Sequence, residues 1–279
     1  MNEPGSLQEN LTAVRAGRRP AVVWGAGQTF LAIQPMFDFP IAKLVDGDPR
    51  KWGTTVAGLQ VEPPAALGSL AKDAPVVFIC SLDPGVTEAI AGELARLDIH
   101  QRQAADSRSD LLVELAGGWV ERAPASVEAH YQLGRACQLA ARSAIWARGV
   151  QAYEWVVGHD PANGEAWFAL ATLQSNGGHD GVAADLFRQV LRLAPAHARA
   201  HQGLSECLAN LGDREGAMYH LREAAMLSQD IAARAVEDLA DLAAPPRRKR
   251  KAPVARYPTK AELDGDLLAA IRAKLPSAP

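Results

Sequence analysis

Cysteine and aromatic residues are scarce in this chain of 279 residues, and no long hydrophobic run occurs. The three cysteines, Cys80, Cys137 and Cys207, stand far apart, which excludes a Cys-x-x-Cys metal knuckle. An odd, sparse set also excludes a disulfide framework and fits buried thiols in a reducing compartment. No stretch reaches the roughly 18 apolar residues that a membrane span needs. The start, Met-Asn-Glu-Pro-Gly-Ser-Leu-Gln-Glu-Asn, has two acids and no apolar run, unlike a secretory signal. These absences predict a cytoplasmic protein without a membrane span.

Hydrophobic residues make up 48% of the chain, enough to bury a sizeable core. Alanine is abundant, and small side chains let helix axes approach closely. The formal net charge of -3 is unevenly spread. From Pro245 onward there are nine Lys/Arg and three Asp/Glu, which leaves 20 basic and 29 acidic residues elsewhere. An acidic body with a basic tail predicts that the tail meets something negative, the protein's own body included.

Ser6 and Glu9 have capping-box spacing ahead of Leu7, Leu11 and Val14, which predicts a short N-terminal helix that Gly17 stops. Residues 20–104 read as alternating strands and helices. The apolar runs Ala21–Trp24, Ile41–Val45 and Val76–Cys80 predict strands of a parallel sheet covered on both faces. Helices are predicted at Ala65–Leu70 and Pro84–Leu97, the latter opened by Pro84. Beyond about residue 108 the pattern is helical as far as residue 243. Residues 244–253, Ala-Pro-Pro-Arg-Arg-Lys-Arg-Lys-Ala-Pro, form a linker by composition. Thr259 and Glu262 then make a second capping box, and Leu263, Leu267, Ile271 and Leu275 form one stripe.

The strongest signal is internal repetition. With Gly164 as position 1 of a 34-residue unit, Trp167 falls at 4, Leu170 at 7, Ala171 at 8, Gly178 at 15, Ala183 at 20, Phe187 at 24, Val190 at 27 and Pro195 at 32. A shift of 34 gives His201, Leu204, Ser205, Gly212, Ala217, Leu221 and Ala224, with Gln229 in place of the proline. The missing proline fits a last repeat that need not turn into another. An earlier, degenerate copy runs from about Val127 to Asn163, with Leu133, Gly134, Tyr153, Val156 and Pro161. This register resembles that of the tetratricopeptide repeat. Each unit buries its apolar face only against a neighbour, so three stacked copies are a workable minimum. The first helices should line a binding face carrying Tyr131, Arg135, Phe168, Thr172, Asn176, Gln202, Glu206 and Asn210. The expected partner is a protein or peptide in that groove. Phe168 and Thr172 stand where a Lys/Asn grip on a C-terminal carboxylate would lie, so a ligand of that kind is not expected.

In the first half, Gly25-Ala26-Gly27-Gln28-Thr29 follows a strand and should open a helix. Asp46 ends the next strand, 19 residues after Gly27, where a carboxylate can meet a ribose diol. Val22 to Leu67 is also similar to the small Rossmann-type domains of bacterial sugar-nucleotide and surface-polysaccharide proteins. The likeness is carried by Val-Val-Trp-Gly-Ala-Gly-Gln, Leu-Val-Asp-Gly-Asp-Pro-Arg-Lys-Trp-Gly and Ala-Gly-Leu-Gln-Val-Glu-Pro-Pro-Ala-Ala-Leu. It implies a nucleotide, NAD or nucleotide-sugar pocket at Gly25, Gly27, Gln28, Thr29 and Asp46. Phe30 replaces the third glycine of the fingerprint, so the helix should stand off or the ring should fill the cofactor's space. Pro35 should interrupt the helix after about two turns.

No tyrosine is followed by lysine at the Tyr-x-x-x-Lys spacing, and the α/β half holds only His100, so no catalytic residues are assigned. His197 and His201 are four apart, but no third ligand accompanies them, so no metal is assigned. Arg247 to Lys251 is a run of five cations without interleaved aromatics, a poor fit to nucleic acid. The predicted fold is an α/β Rossmann-like parallel-sheet domain followed by an all-α tetratricopeptide solenoid. Its parts are an N-terminal helix (1–19), the Rossmann-like domain (20–122), three repeats (126–231), a helix end with basic linker (232–256) and an amphipathic helix (257–279). The expected function is an adaptor or scaffold regulated by a nucleotide-type ligand, in bacterial glycan metabolism. A nucleotide- or NAD-dependent enzyme of sugar-nucleotide metabolism is the alternative, and nucleic-acid binding through the tail is a third reading.

Overall fold

A computed structural model describes residues 6–81, 83–100, 102–104, 110–140 and 143–243. The basic run and the C-terminal stripe lie outside these. The chain forms two compact units that divide between Ala129 and His130.

The first unit opens with helix α1 (Leu7–Arg15). The Ser6 hydroxyl accepts from the Glu9 N–H, and the Glu9 carboxylate accepts from the Ser6 N–H. Gly17 then takes φ +66°, the Gly17 N–H reaches Val14 O and the Arg18 N–H reaches Ala13 O. This paired closure needs a residue in the left-handed region, and glycine supplies it without steric cost.

Six strands follow: β1 (Ala21–Trp24), β2 (Ile41–Val45), β3 (Thr55–Val56), β4 (Leu59–Glu62), β5 (Val76–Ile79) and β6 (Arg102–Ala104). They form one sheet in the order β3-β4-β2-β1-β5-β6, parallel except for the β3–β4 hairpin. The three strands expected from apolar runs form in place. The other three were not legible, because two to four residues of mixed polarity carry no strand period. β1 and β5 are buried throughout, as fits central strands covered on both faces. β2 departs from that expectation, since only Leu44 and Val45 are buried there.

Val22, Trp24, Val45, Val77 and Ile79 pack one sheet face against Leu67, against Leu94 of helix α3 (Pro84–Arg96), and against Ile99. On the other face Phe78 meets Phe37 and Phe39, with ring centroids 5.7 and 5.1 Å away. Asp38 ties this layer to α1 through Arg15 (2.9 Å) and to helix α4 (Leu111–Arg122) through Arg122 (3.2 Å). The segment expected as a helix at Ala65–Leu70 is a 3-10 turn over Pro64–Ser69.

The β3–β4 hairpin turns on Ala57 and Gly58, at φ 49° and 79°. A two-residue turn with both φ positive matches strand twist, and it strains any residue that carries a Cβ. Asparagine tolerates this region better than alanine, so Ala57→Asn should raise stability by about 1 kcal/mol. Urea denaturation of the two chains checks this, and an unchanged midpoint would contradict it.

From Val127 the chain is helix after helix: α5 (Val127–Ala140), α6 (Ser143–His159), α7 (Gly164–Asn176), α8 (Asp180–Leu193), α9 (Ala198–Leu211), α10 (Arg214–Leu227) and α11 (Gln229–Ala243). Connections of a few residues make sequence neighbours antiparallel, giving paired hairpins in succession of the tetratricopeptide type. The repeat register is visible in the packing. Leu170, Ala171, Ala183, Val190, Leu204, Ala217 and Ala224 are fully buried. Gly178 and Gly212, one repeat apart, take φ 78° and 91° to end α7 and α9. Gly134 lies against the Tyr153 ring.

Position 4 does the same work in successive repeats. Trp167 Nε1–H donates to Pro161 O at 2.9 Å, and His201 Nε2 stands 3.0 Å from Pro195 O. Asn163 and His197 each cap the helix that follows, by accepting from Ala166 N–H and Ala200 N–H. The two histidines spaced four apart are therefore a helix cap and a packing residue.

The last repeat differs from its expected reading. Gln229, at the proline position, does not end the stack, because a single residue, Ser228, separates α10 from α11. α11 packs on α10 and is pinned at its far end by Arg214, which donates from Nε to Leu242 O at 2.8 Å. A carbonyl in the last turn of a helix is thereby satisfied by a cation, which the helix dipole also favours.

His201 Nδ1 and His220 Nδ1 stand 2.9 Å apart. A carbonyl only accepts, so His201 Nε2 carries the hydrogen toward Pro195. Nδ1 of the same ring faces His220. Burial, then His201 and Arg188, push His220 down to about 4 from 6.5. Between these values the unfolded chain binds the proton and the folded chain does not. Stability should therefore fall as pH drops from about 6.5 toward 4. Denaturant midpoints at about pH 7 and pH 4.5 check this, and the fall should be smaller in His220→Gln. Equal falls in both chains would contradict it.

Candidate functional site

Two places answer to the expected site residues, one in each unit. In the first, the loop after β1 is bound into the sheet. The Gly25 N–H donates to Val45 O at 2.8 Å. Gly25 takes φ +113°, and a Cβ there would stand 3.1 Å from Cys80 O. Glycine is required on both counts. Gly27 precedes helix α2 (Gln28–Ile33), which gives way to a 3-10 turn at Gln34–Met36 that includes Pro35. Gln28 is exposed and Thr29 half-buried. Phe30 is wholly buried in the core, so the ring at the third glycine position makes α2 pack rather than stand off.

Asp46 is 7% exposed, and its carboxylate is used by its own chain. Oδ2 accepts from Ala26 N–H at 2.8 Å and from Lys51 Nζ at 2.7 Å, and Oδ1 accepts from Asp48 N–H at 2.9 Å. Its backbone carbonyl accepts from Trp52 Nε1–H at 2.7 Å. Burial alone would push this carboxyl up. Lys51 and the N–H groups of Asp48 and Ala26 outweigh burial and hold it below the usual range. Lys51 was not foreseen as part of this site. Its ammonium lies 4.0 Å from where a Cβ on Gly27 would stand. The adjoining Cys80 thiol is pushed far up by burial, which disfavours the thiolate.

In the second unit the expected partner-facing residues fall into three groups. Tyr131 is half-buried edge-on to Tyr153, and Arg135 is exposed. Phe168 is also half-buried, 4.8 Å from His197 and 5.9 Å from Phe187 between ring centroids. The Thr172 hydroxyl donates to Phe168 O, and Asn176 is exposed. Gln202, Glu206 and Asn210 share one groove of about 520 Å³ with Arg214, Asp238 and Leu242. A neighbouring cleft of about 920 Å³ shares Gln202 and Asp238 and adds Arg199, Asp230 and Arg234. The contribution of α11 was missed because the repeat register ends before it. α11 opens at Gln229, three residues earlier than a further 34-residue step would place it.

No family model matches the chain, and no curated protein matches it. Among solved structures the chain is similar to several of MamA. For MamA AMB-1 in C2221 the identity is 18%, the TM-score 0.40, and the match covers 79% of this chain and 95% of the other. For the MamA RS-1 ArsTM double mutant the figures are 15%, 0.44, 70% and 94%. For MamA MSR-1 in C2 they are 16%, 0.40, 80% and 94%.

Among the described residues no cluster of three or more potential metal ligands occurs, and no helix is long and apolar enough to cross a membrane. Cys137 and Cys207 are buried, each pushed up to about 11 by desolvation.

Proposed function

We propose that the protein is an adaptor whose helical hairpins hold a polypeptide against the first-helix face of the repeats. The observation that supports this reading is the groove between α9 and α11. There Gln202, Glu206 and Asn210, on one side of α9 at four-residue steps, meet Asp238 and Leu242 of α11. Gln202 donates to Glu206 and Asn210 to Asp180, which holds these polar ends in place beside apolar walls, an arrangement that suits an extended or helical peptide. Phe168 is unsuitable for a test because it packs on Phe187 and His197. The variant should instead combine Arg135→Glu, Asn176→Arg and Asn210→Arg. It should keep the wild-type helical signal and lose partners retained by the tagged full chain. Undiminished capture would contradict the reading.

A second reading concerns the first unit. Counted outward from β1, strands β2 and β4 step one way across the sheet and β5 and β6 step the other, an order that resembles a Rossmann-type sheet. Ligands of such sheets sit at the carboxyl ends of the strands where the order reverses, here beside Gly25 and Cys80. Gly25, Gly27, Gln28 and Thr29 would then face a nucleotide, NAD or nucleotide-sugar, with Lys51 rather than Asp46 offering a charged contact. A glycan-related role and a cytoplasmic site of action belong to this same reading. Calorimetric titration of the full chain with NAD, UDP-sugars and nucleotides tests it, and absence of heat with all of them would end it.

A further inference from the structure

The α9–α11 groove has walls of Ala209, Leu221 and Leu242, bordered by the carboxylates of Glu206 and Asp238. Glu206 accepts from Gln202 Nε2 at 3.1 Å. Its carboxyl is raised above the usual range by desolvation, with Asp238 adding to the rise and the Gln202 bond opposing it. Two like charges thus face one space, while Arg214 in the same wall donates to Leu242 O.

Leu242 lines the groove and α11 ends at Ala243, so the chain leaves the described residues at the groove's edge. The run Arg247-Arg248-Lys249-Arg250-Lys251 begins five residues after Leu242. At about 3.5 Å per extended residue, Arg247 can lie no more than about 17 Å away. A tether this short keeps the cations near the carboxylates at an effective concentration on the order of millimolar. The charge difference has the right sign, with nine basic and three acidic residues from Pro245 onward against 20 and 29 in the remainder.

We propose that Arg247–Lys251 folds back into the α9–α11 groove of the same molecule and competes there with basic segments of partner proteins. The contact rests on the groove geometry, and the competition rests on the adaptor reading.

Zero-length carboxyl-to-amine cross-linking of the full chain tests the contact. Within the monomer, Lys249 or Lys251 should join Glu206 or Asp238. The joined peptides should vanish in Glu206→Gln/Asp238→Asn and fade in about 0.5 M salt. Cross-links only to other carboxylates, or only between molecules, would overturn the proposal. A labelled peptide of residues 244–253 provides the second measurement. It should bind at least about tenfold more tightly to a full chain with all five cations replaced by glutamine, because the tethered competitor is gone. Equal affinity for both chains, or binding to neither, would overturn the proposal. The adaptor reading would survive that result if capture still depended on Arg135, Asn176 and Asn210. A run that instead binds anionic vesicles or nucleic acid, without the groove cross-links, would also overturn it.

Discussion

Gly203→Ala should destabilise the repeat unit by about 2 kcal/mol, although alanine is normally the better residue in a helix interior by about 1 kcal/mol. Gly203 lies within α9, and a Cβ there would clash with the ring of Phe187 at Cζ, Cε2 and Cε1. Phe187 is 3% exposed and occupies the large slot between repeats, so it has nowhere to move. Gly134→Ala should behave alike, since its Cβ would stand 2.7 Å from the Tyr153 ring. Gly92→Ala supplies the opposite sign. It lies within α3 with nothing within 4 Å of the added carbon, and should gain about 1 kcal/mol. Urea denaturation of the three variants checks the contrast. A gain in Gly203→Ala would mean that α9 does not lie on Phe187.

Asp46→Ala should cost the first unit about 3 kcal/mol, because hydrogen bonds to a charged group are among the stronger ones. The Ala26 and Asp48 N–H groups and Lys51 would all lose their acceptor. The β1 and β2 loops are joined through this one carboxylate, so both should loosen. If Asp46 served chiefly to hold a ribose, the variant would fold with wild-type stability and lose only ligand heat. Denaturation and calorimetry on the same variant separate these outcomes.

The repeats were legible because the packing rule acts at fixed spacing. Small residues recur where helices cross and large ones where units meet, as at Ala171 and Phe187. Gly178 and Gly212 were legible because a left-handed helix end favours glycine. The β3–β4 hairpin was hidden, since Leu59–Glu62 takes its partner from β2 rather than from its own period. The partners of Asp46 within its own chain were hidden for a related reason. Its position after β2 agrees with ribose contact, but Lys51, five residues later, is brought back onto it by the turn at Pro49–Lys51. The helical period was legible as far as residue 243, but α11 as a separate groove-lining helix was not, because a one-residue connection replaces the usual loop and shifts its register against the 34-residue period. Half of the groove therefore could not be assigned from periodicity.

The most direct measurement is a hydrogen-exchange footprint of a captured partner on the full-length protein. Slowed exchange should concentrate in α5, α7, α9 and α11 and around Arg214 and Leu221 of α10, which line the groove and its approach, and should spare α8. Protection confined to α8, or to the sheet unit, would contradict the account.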